Sequence, residues 1–375
     1  MIYLDSAANA KVLKEVLDSY NEASIKYFAN PNSSHKLGLE VKNRIDLATK
    51  NIAKFLGVKD NEIIYTSGAS ESNNLVVQGV LNKYKEKGKH VIIGSFEHSS
   101  IVAPANKMMS NGFDVDIVKI DENGLINIKA IEELIRDDTI LISISLVDSE
   151  LGIIQNIDEI ASFLKEKYPN IIFHTDASQG ISKTDFNFKN VDLVTIAPHK
   201  FGGLNGIGIL IKKENINLEP IIYGGKSTTI FRSGTPNAPM IISLEKAFEI
   251  SLNNYKKYKD YIKKLHDYAI NKLNNIECIK LNSNDYSINN TINFSVLGFE
   301  GKDIQDKLSN KDIFVSTSSA CSSDNTYSRV VYNLTNDIER AKSSIRISFT
   351  HENTIEELDE FFKKLTNIIE ESNEE

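Results

Sequence analysis

Between Ile63 and Ile211 short apolar runs alternate with amphipathic stretches, and this rhythm restricts the chain to a sheet covered by helices. Strands are predicted near Ile63–Thr66, His90–Gly94, Val115–Ile120, Ile140–Val147, Ile171–Asp176, Asp192–Ala197 and Ile207–Ile211. Helices fit between most of them, at Ser70–Lys85, Ser100–Asn111, Ile128–Ile135 and Ile157–Lys167. Alternation of this kind implies a mainly parallel sheet of an α/β fold. One joint breaks the rule. Only nine residues, Pro198 to Gly206, separate the last two strands, whereas a parallel crossover needs about a dozen or more. The last strand is therefore predicted to run antiparallel if it lies beside its predecessor.

Upstream, Val41, Ile45, Ala48, Ile52 and Phe55 recur at helical spacing until Gly57 ends the run, a stripe that reads as core packing. After Pro236 the texture changes: a long helical stretch, Ile241 to Asn274, leads into a strand–helix–strand region and a final helix from Ile355. The expected division is a large domain over residues 13–255 and a smaller α+β domain formed by 1–12 with 256–375.

Composition narrows the function classes. A net charge of −8 with no face-sized basic block argues against nucleic acid as the main ligand, and the Lys-rich stretches read as solvated helix surfaces. With only two cysteines, Cys278 and Cys321, a disulfide framework is not expected, and a reducing compartment fits. The N-terminus runs straight into Ile2-Tyr3-Leu4-Asp5 without a leader, and no apolar run approaches the length of a membrane span. A cytoplasmic address is the expectation, and no metal site is expected.

In open α/β sheets ligands bind beyond the carboxyl ends of the strands, so the residues there carry the most information. Ser67-Gly68-Ala69-Ser70-Glu71 follows the first strand and opens a helix, a turn whose free amides suit a phosphate. Glu97-His98 follows the second, Asp176 and Gln179 lie at the end of a later one, and Pro198-His199-Lys200-Phe201-Gly202-Gly203 follows the next. Singly each has a plain structural reading: a helix start, a core histidine, a helix cap, a solvated lysine. Together they place a phosphate cradle, a ring-stacking histidine, a carboxylate and an amine on one edge of one sheet. Pyridoxal 5′-phosphate requires that set, since an amine anchors it and an acid pairs its pyridine nitrogen. A charge pair about 4 Å apart contributes roughly 4 kcal/mol at an effective dielectric near 20, enough to keep the ring protonated.

On these residues the chain resembles the cysteine desulfurase family of fold-type I pyridoxal-phosphate enzymes. The likeness runs along essentially the whole length: Tyr3-Leu4-Asp5, Asn30-Pro31-x-Ser33, Thr66 to Asn74, Glu97-His98, Glu150-Leu151-Gly152 and Asp176-Ala177-Ser178-Gln179 fall in family order. So do His199-Lys200, Arg232-Ser233-Gly234-Thr235, Ser319-Ala320-Cys321 and Ser344-Ile345-Arg346. The small-residue segment around Cys321 is similar to the subgroup with a long mobile catalytic loop.

The resemblance implies a large mainly parallel seven-stranded sheet with one antiparallel strand, a smaller C-terminal domain, and a homodimer. It assigns Lys200 to the cofactor's covalent anchor and to transfer of the substrate's α-proton. His98 would stack on the ring and serve in proton transfer, Asp176 would pair its nitrogen, and Gln179 and Ser149 would lie at its hydroxyl. Ala69, Ser70 and His199 would hold the phosphate, with Thr235 reaching the phosphate of the partner subunit. Asn30 and Arg346 would bind the substrate carboxylate. Cys321 would attack the sulfur of L-cysteine, leaving alanine and a persulfide for an acceptor protein of iron–sulfur assembly or tRNA thiolation. Cys278, within the apolar run Ile276–Leu281, reads as core.

Several positions depart from the family pattern. Ser149 stands in place of an asparagine and Ala197 in place of a phosphate-binding serine, a loss worth about 1.5–3 kcal/mol if nothing replaces it. Asn9-Ala10-Lys11, Leu204-Asn205 and Ser318 differ as well. They motivate two other readings: a selenocysteine lyase or aminotransferase with the same cofactor, and a weakly active scaffold for sulfur-handling partners.

Overall fold

A computed structural model describes residues 1–317 and 327–373. The chain opens with β1 (Ile2–Tyr3), α1 (Lys14–Lys26) and α2 (Lys36–Leu56), then alternates β2 (Ile63–Thr66), α3 (Ala69–Tyr84), β3 (His90–Gly94), α4 (Ser99–Met109) and β4 (Asp114–Val118). It continues through α5 (Ile128–Glu132), β5 (Thr139–Ser143), α6 (Ile157–Lys167), β6 (Ile172–Asp176), β7 (Leu193–Ile196) and β8 (Gly208–Lys212). Helices α7 (Ala238–Asn253) and α8 (Tyr255–Leu273) lead to β9 (Ile279–Leu281), β10 (Thr291–Val296), α9 (Gly301–Ser309) and β11 (Ile313–Phe314). The described chain ends with α10 (Arg329–Thr335), α11 (Ile338–Lys342), β12 (Ser344–Ser348) and α12 (Ile355–Asn373).

Seven strands form one sheet in the order β2-β8-β7-β6-β5-β3-β4. β8 runs antiparallel to both β2 and β7, as the short joint before it requires, and the other pairs are parallel. Strands such as β3 and β5 are buried at every position because helices cover both faces. Their side chains still alternate. Ile92, Ile142, Phe173 and Val194 join the core formed with α2, α6 and α7, while Val91, Leu141, Ile172 and Leu193 join the core of α3 and α4.

A second, antiparallel sheet, β12-β10-β9, packs Phe294 and Ile345 against Ile262 and Leu265 of α8 and Phe361 of α12. The N-terminal segment crosses to this side: β1 pairs with β11, Asp5 bridges to Ser348, and Leu4 enters the same core. Among the described residues no helix is long and apolar enough to cross a membrane.

Three elements differ from the sequence expectation. The stretch Ile241–Asn274 is two helices, broken at Asn254, whose backbone leaves helical geometry (φ −100°, ψ 1°) while its side-chain amide bonds the Ile250 carbonyl at 2.8 Å. Helical periodicity continues on both sides of this one residue and hides the break. α1 went unpredicted because it fully buries only Val16 and Ala23, seven positions apart. β5 stops at Ser143, and the chain beyond it continues beside β6 through single bonds, Ile144 N–H to His174 O and Leu146 N–H to Asp176 O.

One glycine positions the site. A Cβ on Gly208 of β8 would sit 2.6 Å from the backbone of Gly68 and 2.7 Å from Thr66 Oγ1. Glycine therefore lets the 67–70 turn lie tight against the sheet. Gly208→Ala is expected to cost about 1–3 kcal/mol through overpacking, read as a lowered urea midpoint. An unchanged midpoint would show that the turn has room to move.

Candidate active site

The carboxyl ends of β2, β3, β6 and β7 open onto one cavity of about 390 Å³. Ala69, Ser70, His98, Ser149, Asp176, Gln179, His199, Lys200 and Arg346 all line it, so nine of the sequence-selected side chains converge there. The turn between β2 and α3 supplies the anion-seeking end. α3 starts at Ala69 after Gly68, which has no capping side chain, so its first amides lack intrahelical partners and carry the positive end of the helix dipole.

Asp176 ends β6, the point where a strand delivers a side chain to the sheet edge. It is 7% exposed, and its oxygens are held by the amide of Ser178 (2.9 Å) and by Asn73 Nδ2 (2.7 Å). Each carboxylate oxygen has a second lone-pair direction left for a cationic N–H. Lys200 closes a short 3-10 turn after β7 and donates to the carbonyls of Ala7 and Ala8 at 2.8 and 2.7 Å. His98 caps α4, accepting at Nδ1 from the Ser100 amide (3.1 Å).

Burial dominates the electrostatics of this edge. It pushes His98 below the ordinary histidine range and, with the nearby Lys200 and Lys183 charges, holds His199 down at about 4. Both rings are therefore neutral at physiological pH. Burial, then Lys200 and Arg346, lowers Lys183 to about 7.

Burial also raises Glu97, beside His98, from 4.5 to about 8, against hydrogen bonds from the Ser145 amide (2.5 Å) and hydroxyl (2.9 Å). From about pH 4.5 to about 8 the folded chain keeps a proton that the unfolded chain has lost, so this group's contribution to stability falls as pH rises through that window. Glu97→Gln removes the titration while its amide can still serve both Ser145 groups. Its melting temperature relative to wild type is expected to climb between pH 5 and 8, and a flat difference would place the proton elsewhere.

Some sequence-selected residues behave otherwise than expected. Gln179 donates to the Ala7 carbonyl (2.8 Å) and accepts from Lys183 (2.6 Å), so its amide is already partnered. Arg346, 1% exposed, gives Nη2 to Asp5 (2.6 Å) and Nη1 to the Ser149 carbonyl (2.8 Å), leaving Nε without a partner among the described residues. A substrate carboxylate would have to compete with Asp5. Ala197 lines the cavity fully buried and offers no hydroxyl.

Two residues lie outside the cavity. Asn30 is on the surface, its side-chain oxygen accepting from the Asn32 amide at 2.9 Å. Thr235 lines an adjoining recess of about 190 Å³ that touches the far side of the turn at Ser67, where Arg232 pairs with Glu71 at 2.9 Å. Cys321 lies outside the described residues. Ala7, Ala8, Asn73 and Lys183 were missed by sequence reasoning. The first two act through backbone carbonyls, which no side chain announces, whereas Asn73 sits inside the Thr66–Asn74 motif and was visible there.

The donor set fits a flat, acid-pairable ring bearing a phosphate: amides at the cradle, an acid and an amine on one wall, and a neutral imidazole. One phosphate hydroxyl donor is missing at Ala197.

Comparison with known proteins gives the same direction. The aminotransferase class-V family model matches residues 2–361. A cysteine desulfurase IscS of Clostridium botulinum is 34% identical over 380 residues, covering 100% of this chain and 95% of that protein. That of Dictyoglomus turgidum is 36% identical, covering 98% and 94%. Among solved structures, a NifS-like protein superposes with a TM-score of 0.93 at 30% identity over 98% of this chain and 99% of that one. SspA in complex with cysteine does so at 0.83 and 32%, over 94% and 100%.

Proposed function

The chain belongs to the aminotransferase class-V family, and from that premise we propose that it is a cysteine desulfurase using pyridoxal 5′-phosphate. In this reading L-cysteine gives L-alanine, and its sulfur passes to Cys321 as a persulfide for an acceptor protein. The observation that carries the reading is the convergence of Lys200, Asp176 and the open amides after Gly68 on one cavity. When bound, the cofactor supplies an electron sink for bonds broken at the substrate's α-carbon.

The chain's own residues then have separable tasks. Ala69, Ser70 and His199 bind the phosphate, Asp176 holds a proton on the ring nitrogen, and His98 covers the ring face. Lys200 Nζ, steered by the two carbonyls, anchors the cofactor and moves the α-proton. Arg346 and Asn30 receive the substrate carboxylate, with Arg346 released from Asp5 to do so.

A homodimer belongs to the same reading. Ile25, Phe28, Tyr223 and Ile230 are 80%, 74%, 72% and 58% exposed, a surface in want of cover. Asn30 and Thr235 are exposed in the same segments, which supports a site completed by a second copy. The division into 13–255 and 1–12 with 256–375 is proposed likewise, supported by Leu4 joining the core of the second sheet.

Ala197 and the engaged Arg346 favour one alternative, selenocysteine lyase or aminotransferase chemistry in the same pocket. The deciding assay incubates the purified protein with pyridoxal 5′-phosphate, L-cysteine and dithiothreitol, with and without sulfur-acceptor proteins. Alanine and sulfide in equal amounts are expected. Pyruvate in place of alanine, or turnover of selenocysteine alone, overturns the desulfurase. A preparation that stays colourless with added cofactor points to a scaffold.

A further inference from the structure

Asn73, in the second turn of α3, has no exposed surface and spends both amide hydrogens on the cavity wall. One goes to Asp176 Oδ2 at 2.7 Å and one to Ser100 Oγ at 2.8 Å. The reverse amide assignment would set an oxygen against a carboxylate, so the network itself orients the group.

The direction propagates. Ser100 Oγ, as the acceptor from Asn73, turns its own hydrogen to His98 Nδ1 at 2.8 Å, and the Ser100 amide donates to the same nitrogen at 3.1 Å. A ring nitrogen that only accepts carries no proton, so the neutral His98 ring holds its hydrogen on Nε2. On the other arm, Asn73 and the Ser178 amide each grip one oxygen of Asp176 and stop the carboxylate from turning. The carbonyl oxygen of Asn73 is buried with no partner among the described residues, a deficit that the two donated bonds offset.

We propose that Asn73 is a positioning residue that couples the two sides of the cofactor site, fixing the Asp176 carboxylate and turning the Ser100 hydroxyl to His98 Nδ1, where it joins the Ser100 amide in holding the Nε2–H tautomer. The proposal rests on the cavity being a pyridoxal-phosphate site, and it makes His98 a proton donor at Nε2 in the resting protein, with no basic lone pair on that atom.

Two readouts other than turnover test it. In absorbance titration of the cofactor-free protein, Asn73→Ala is expected to weaken pyridoxal 5′-phosphate binding roughly ten- to a hundredfold, the range for a lost bond to a charged group. In nitrogen-15 spectra of the histidine-labelled holoenzyme, with His98 assigned by its loss in His98→Gln, Nδ1 should resonate as an unprotonated nitrogen. Asn73→Asp offers Ser100 an acceptor where it had a donor, so the hydroxyl turns away, Nδ1 keeps only the Ser100 amide, and the His98 nitrogen signals shift. His90, bonded to Thr139 elsewhere in the sheet, should stay put. Unchanged affinity in Asn73→Ala, or a protonated Nδ1 in the wild type, overturns the proposal. The wild-type spectrum decides even if both variants misfold. A wild type that binds no cofactor sinks the functional reading instead, and the tautomer remains readable on the cofactor-free protein.

Discussion

Replacing Lys200 with alanine is expected to lower alanine release from L-cysteine by roughly 10²- to 10⁴-fold, the range for a lost proton-transferring group, while leaving the urea midpoint near that of the wild type. The reason lies in how the amine is held. Nζ donates to the uncharged carbonyls of Ala7 and Ala8, which hold it at the cavity wall. The side chain is only partly buried, so truncation opens little new cavity in the core. Lys200→Arg separates chemistry from charge. Arginine can keep both carbonyl bonds but does not give up its proton, so it should rescue nothing. The companion measurement is peptide mapping after borohydride treatment in the presence of cofactor. The wild type should carry the label on the peptide containing Lys200, and Lys200→Ala should carry none. A label elsewhere, or alanine release within a few-fold of wild type, would remove Lys200 from the centre of the chemistry.

What could be read before folding follows from which groups have a side-chain signature. Strands β3, β5 and β8 announced themselves because burial on both faces demands continuous apolar runs, and the short joint before β8 left no room for a parallel return. Asp176, His98 and Lys200 were legible for a related reason: an α/β sheet presents its strand ends together, so polar residues following separate strands must meet. Asn254 was not legible as a break, since one residue does not disturb helical periodicity. Nor was the N-terminal contribution to the cavity, because Ala7 and Ala8 act through carbonyls brought in by the pairing of β1 with β11, more than 300 residues away. Arg346 shows a third case. Its identity was readable, but its pairing with Asp5 arises only when the N-terminal segment lies against β12.

Cys321→Ala is expected to cut persulfide formation and alanine release on the order of 10³-fold or more, as loss of a covalent nucleophile does, whereas Cys278→Ala should leave the rate unchanged. The flanks of the cysteine are tied to the cavity wall. On one side Ser316 exchanges backbone bonds with Arg346 (3.1 and 2.6 Å) and its hydroxyl donates to Asp5 at 2.9 Å. On the other, Ser328 donates its hydroxyl to Glu150 at 2.5 Å, and Arg329 donates to the Glu97 carbonyl at 3.1 Å, one residue from His98. Arg346 itself lines the cavity, so the described residue Ser316 lies against that wall. Cys278 is placed otherwise: it packs against the core of the second sheet, and burial raises its thiol, which lowers its nucleophilic thiolate fraction. The experiment follows alanine by amino-acid analysis and trapped persulfide by alkylation and peptide mass. If Cys321→Ala still released alanine at the wild-type rate, the sulfur would be leaving without a cysteine acceptor on this chain. The cavity would then belong to a lyase of the selenocysteine type, which also cleaves at the β-carbon and leaves alanine.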